Sequence, residues 1–296
     1  MYLSKIMTSA VVCTTLLATT SFGQSVEIVS DGADRIRLAG QLPMLTQQVA
    51  AASCSITSGV DVAEAHDVLE RALAEFDRYI VALRDGDAEL HILQPEERRR
   101  TLVNLDHVET EWHAIHHAVE SVLADGSDVD SSHIIDDHNM KLLELTTLFA
   151  SDIANQYAIP FELSAADILS LELAGRQRML TQKMAKDACE IWTGYHAEEA
   201  KEDLRSTMGV FENSLNALRY GMAAAGIKPA SNDVIVADLD DLLTRWSVLK
   251  PNLTTLVEGG ELNEEQKHEV FHDLEVELIA LDHLLDDYKE YAERAH

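Results

Sequence analysis

The chain has 296 residues, with 23 basic and 52 acidic side chains and a formal charge of -29. That surplus repels a phosphate backbone and no basic tract offsets it, which excludes nucleic acid as a natural partner. A hydrophobic share of 46 % with only five prolines and thirteen glycines excludes an unfolded acidic chain and suits long helices around real cores.

Residues 1–23 have the pattern of a secretory leader. Lys5 gives the positive start, Ile6 to Ala18 the apolar stretch, and Ser21 and Gly23 the small residues before a cut at Gln24. The alternative is an uncleaved anchor, although the stretch is too short to span a bilayer comfortably. The expected mature protein is soluble and periplasmic, with no transmembrane segment. It carries 22 basic and 52 acidic side chains, for a charge of -30. Cys13 leaves with the leader. Cys54 and Cys189 remain, and an even pair in an oxidising compartment invites a disulfide.

Four apolar-periodic segments follow, near 31–57, 61–84, 95–124 and 131–158. Four more fall near 164–192, 196–225, 231–257 and 262–293. Leu69, Leu73, Phe76, Ile80 and Leu83 recur at spacings of four and three, which lays one stripe along a helix and would not fill one face of a strand. Helices of 24–30 residues are ~36–45 Å long, and short loops make neighbours antiparallel. The link Ile159-Pro160-Phe161 separates the two sets.

The second set repeats the first. Leu38-Ala39-Gly40 and Met44-Leu45-Thr46-Gln47 return as Leu173-Ala174-Gly175 and Met179-Leu180-Thr181-Gln182. From Leu38 to Cys54, nine of seventeen positions match at an offset of 135. The register persists at Leu69 with Leu204 and Phe76 with Phe211. It slips to 134 at Asp106 with Asp240, Trp112 with Trp246, and His138 with His272. Chance does not hold a register over separated segments, so the chain is an internal duplication. The expected fold is all-α: tandem antiparallel four-helix bundles over 24–160 and 161–296, carrying -16 and -14 charges. The shared tryptophans are expected in the two cores, and Asp106 and Asp240 are expected either to cap a helix or to bond to a neighbouring one.

The best-kept string between the copies contains the most chemistry. In Ala174-Gly-Arg-Gln-Arg-Met-Leu-Thr-Gln-Lys183, the residues Gly175, Arg178, Gln182 and Lys186 share a helical face. Gly175 permits close approach of a neighbour. Arg178 offers a rigid fork of donors suited to a small oxyanion. Arg176, Thr181, Gln182 and Lys183 add donors nearby. The alternative is that these cations pair with surface carboxylates and bind nothing.

The string LELAGRQRMLTQKMAKDA closely resembles the opening helix of the type IV pilus methyl-accepting chemotaxis transducer sensor domain, the PilJ type. That domain is similar in turn to the periplasmic sensor of nitrate/nitrite-sensing histidine kinases. Copy one, RIRLAGQLPMLTQQVAAASC, resembles a degraded version. The resemblance implies a sensor bundle outside the membrane. In the nitrate sensors, two first helices meet across a dimer axis and an arginine from each holds the anion. Arg178 matches that arginine, but its counterpart in copy one is Pro43, and Arg176 corresponds to Gln41. Any anion site therefore uses Arg178 from two chains or is asymmetric. Arg35 and Arg37 lie on other faces. Such domains usually adjoin membrane helices and a signalling module; neither is expected in this chain, so its expected output is a contact with another protein.

If the two first helices pack together as in the family's dimer, Cys54 and Cys189 could meet. Two buried thiols, or bundles placed end to end, are the alternatives. Metal candidates are weaker: Glu109, His113 and His117 on one helix, and His268 and His272 on another, with zinc or copper as plausible guests. A Glu-x-x-His spacing serves di-iron bundles only when it occurs on two inward-facing helices. Solvated histidines explain these residues equally well. No nucleophile–histidine–acid set or phosphate loop is present, so no enzyme and no cofactor is expected. The leading expectation is a sensor-type binding protein for a small anion, for which the resemblance implies nitrate or nitrite. The alternatives are an adaptor of an envelope receptor or pilus/chemotaxis system, and a metal-binding bundle. A homodimer is possible in either case.

Overall fold

The computed structural model describes residues 22–157 and 165–294. All but the last two residues of the expected leader lie outside the described residues, as does the Ile159-Pro160-Phe161 link. The described chain is all-α. Helices α1 (Phe22–Ser58), α2 (Val62–Asp85), α3 (Arg99–Ala124) and α4 (Val129–Tyr157) form one bundle. Helices α5 (Ala165–Thr193), α6 (Ala197–Tyr220), α7 (Asp233–Val257) and α8 (Glu264–Arg294) form the other. Among the described residues, no helix is long and apolar enough to cross a membrane.

Each core repeats the other in its aromatic pair. Phe76 stacks on Trp112 at 3.9 Å between ring centroids, and Phe211 meets Trp246 at 4.9 Å. All four rings are buried. The second helix is tied to the third in both copies, by Arg84 with Asp106 and by Arg219 with Asp240, each at 2.6 Å.

Three boundaries differ from the periodicity. The segment expected over 196–225 breaks at Gly221, and α3 starts at Arg99, four residues after Pro95. The cause is a turn built the same way twice. Gly86 (φ +89°) and Gly221 (φ +82°) end α2 and α6, and antiparallel bridges Asp87↔Ile92 and Met222↔Ile227 close behind them. These conformations favour glycine. At Gly221 a Cβ would also stand 2.8 Å from Pro229. The third difference is α1, which begins at Phe22 and runs through Pro43.

Helices α1 and α5 are the centre of the molecule. Residues 180–190 are all buried, and so is nearly all of 42–56, because each helix packs on its own bundle and on the other. A disulfide joins Cys54 to Cys189 with their Cα atoms 6.1 Å apart. Six residues before Cys54, Gln48 donates to Glu275 of α8 at 3.2 Å. Seven residues before Cys189, Gln182 faces the same carboxyl group. Two points of contact in the same order along both helices mean that α1 and α5 run side by side in one direction. Helix α8 reaches across this seam, burying Phe271 and Leu278 in the first bundle's core.

Candidate functional site

The motif lies on α5 against the seam. Arg178 is only 6 % exposed, and its Nε lies 2.6 Å from Asp282 Oδ1 of α8. That contact is an ion pair without hydrogen-bond geometry. Across the seam, its charge acts on Glu75 and Tyr79 of α2. Arg176, two residues earlier, is exposed. Thr181 turns back to its own helix, donating to the Arg178 carbonyl at 2.7 Å. Gln182 is buried with neither amide atom in a good hydrogen bond. Its counterpart Gln47 is closed into packing, donating to Asn139 at 2.7 Å.

The expected role of Gly175 is corrected by the structure. A Cβ there meets nothing within 4 Å, and the same holds for Gly40. Neither glycine admits a close neighbour, because the helix surface at that turn faces open space.

Carboxylates outnumber the cations around the motif. Lys183 pairs with Asp187 at 3.0 Å and Asp203 at 2.6 Å. Lys186 pairs with Glu190 at 2.6 Å, Asp187 at 3.1 Å and Asp136 of α4 at 3.8 Å. Burial alone would depress Lys186, but these three carboxylates hold it above its usual value. Burial, and then a hydrogen bond with Asp136, push Glu190 above its usual value, against the pull of Lys186. These groups line a cavity of about 500 Å³ beside the disulfide, with His133, Trp192 and Tyr195 on its walls.

In copy one, Arg35 is buried and fully used. It bonds to Asp31 at 3.1 Å and to the carbonyls of Leu83 and Gln94, and it lies 5.2 Å from the centre of the Tyr157 ring. Arg37 bonds to Asp34 on its own helix. Neither contributes to the motif.

The histidine candidates separate. Glu109 is held by Arg84 at 2.8 Å, so it does not join His113 and His117, whose rings stand 4.7 Å apart. His117 faces Glu120 instead, in a group with His116. His138 bonds within its own bundle to Glu111 at 2.6 Å. His272 crosses to Glu64 of the first bundle, so the shared register does not give a shared role. His268 crosses in the same way to Asp61.

Comparison with known proteins supplies the deciding observation. The profile of the type IV pili methyl-accepting chemotaxis transducer N-terminal (PilJ) family matches residues 28–137 and again 164–271. The chain belongs to the PilJ family. No curated protein matches it significantly. Both bundles are therefore PilJ-type sensor modules, including the first, which lacks both motif arginines. PilJ membership makes this a signalling-type module and not an enzyme, and membership by itself does not name nitrate or nitrite as a ligand.

The motif reading missed Asp136, Asp203, Asp282 and Glu275. All four come from other helices, and nothing in the string points to them. Asp187 and Glu190 are different. They stand four residues after Lys183 and Lys186, a spacing that pairs charges on one helix and was visible in the string itself.

Proposed function

We propose that this tandem PilJ protein is a non-catalytic periplasmic binding module whose output is a contact with an envelope receptor or a pilus/chemotaxis component. The leader pattern and the disulfide support the compartment. One observation carries the role: the motif's buried cations Arg178, Lys183 and Lys186 are matched by internal carboxylates. An incoming anion would have to displace one of them.

A second reading, a small oxyanion held by Arg178, has one observation in its favour. The fork's pairing with Asp282 is made through Nε without hydrogen-bond geometry, which leaves donors to offer. Two measurements separate the readings. Photo-crosslinking in cells from the exposed positions Val248 and Ile279 is expected to capture an envelope signalling protein, and to do so equally in Arg178→Ala. Calorimetry with nitrate and nitrite is expected to show no saturable heat. Saturable heat that Arg178→Ala abolishes, with no crosslinked partner, would overturn the adaptor reading in favour of the anion.

A further inference from the structure

Away from the motif, a second set of ligating side chains bridges the bundles. Asp61 and Glu64 stand at the start of α2. His268 and His272 lie one turn apart on α8, a spacing that places two imidazoles on one helix face. His268 Nδ1 is 2.9 Å from Asp61 Oδ2, and His272 Nδ1 is 3.1 Å from Glu64 Oε2. Donor atoms of Asp61, Glu64 and His272 all fall within 4.8 Å of one another. Bonds of ~2.0–2.2 Å in a tetrahedral zinc site place donors roughly 3.3–3.5 Å apart, and His268 joins these three through its contact with Asp61.

Asp61 is held in an unusual way. Its φ is +48°, a region rare for a residue with a side chain. It occupies the N-cap position of α2, yet its carboxylate makes no capping bond, although aspartate is among the best caps. Its Oδ2 is shielded from solvent and accepts no hydrogen bond, even with the His268 nitrogen at 2.9 Å. The backbone conformation thus turns a carboxylate away from its local role and toward an imidazole nitrogen that it does not hydrogen-bond. The repeat counterpart His196 keeps the same backbone, at φ +50°. It reaches Asp137, whose carboxylate also accepts from Tyr195. The four-donor arrangement therefore belongs to one side of the seam.

We propose that Asp61, Glu64, His268 and His272 bind a divalent transition ion of the zinc class, clamping α2 of the first bundle to α8 of the second. Two imidazoles and two carboxylates suit zinc or copper, whereas magnesium and calcium want oxygen alone. Both carboxylates together balance a double charge, and the acidic body concentrates cations around it. The ion ties together residues some two hundred positions apart, at the same end of the seam as the disulfide. Occupancy thereby sets how firmly the bundles hold each other. The inference is independent of the partner and anion readings.

The test is zinc titration of the chelator-stripped full chain against a chromogenic competitor. One equivalent is expected to bind per chain, together with a rise in Tm. His268→Ala/His272→Ala is expected to weaken binding by more than about a hundredfold, since loss of even outer-shell partners costs about 10–100-fold. The isosteric Glu64→Gln is expected to weaken it as well, with helical content unchanged in both variants. His116→Ala/His117→Ala, which removes the other histidine group, is expected to bind as wild type. No uptake by wild type, unchanged binding in both bridging variants, or loss confined to His116→Ala/His117→Ala would each overturn the proposal.

Discussion

Glu277 is the residue whose chemistry most directly sets a pH dependence. It is 1 % exposed, and neither carboxyl oxygen has a hydrogen-bond partner. Burial pushes it up to about 8, against the pull of Arg245. The folded protein therefore holds a proton that the unfolded chain gives up near its ordinary value of 4.5. Stability from this group is present below that value and is lost as pH rises toward about 8. Glu277→Gln should raise Tm at pH 8 and leave it nearly unchanged at pH 4.5, as followed by circular dichroism. Lys186 makes the opposite case. Removing it leaves Glu190 buried without its cation and Asp187 with Lys183 alone, and Lys186→Ala should cost about 3–5 kcal/mol in urea unfolding. Half of its environment was legible: Asp187 and Glu190 follow it on the same helix, while Asp136 arrives from α4 and could be found only by folding the chain.

Among the helices, those with a single stripe were legible, and their ends largely so. Helix α2 shows Leu69, Phe76, Ile80 and Leu83 buried on one face, as its spacing requires. Helices α1 and α5 lack a clean stripe for a physical reason. A helix packed on two sides has no solvent face to contrast with its apolar one, so its sequence shows composition and repeat but not orientation. The glycines were the least legible, since the same residue type serves opposite ends. Gly221→Ala should destabilise by about 1–3 kcal/mol, because the added methyl meets Pro229 at 2.8 Å on a backbone that favours glycine. Gly175→Ala should be neutral or raise stability by up to about 1 kcal/mol, because the position is helical and open. Thermal melts of the two variants side by side check both signs.

At the scale of the molecule, the two copies form one body because their first helices share a seam. The duplication itself was legible in nine matched positions. What filled the seam was not, since Asp136, Asp203 and Asp282, which pair with Arg178, Lys183 and Lys186, come from three other helices. A bridge closing 135 residues of chain is worth about 3–5 kcal/mol in the chain-entropy picture. Cys54→Ser/Cys189→Ser should therefore lower the unfolding midpoint without changing the helical content. The most direct measurement of the seam is peptide mapping of the exported, non-reduced protein, together with its mass in solution. A single linked species joining the Cys54 and Cys189 peptides within one chain, with no free thiol, is the predicted result. Two free thiols in the exported protein, or links joining Cys54 to Cys54 between chains, would contradict it.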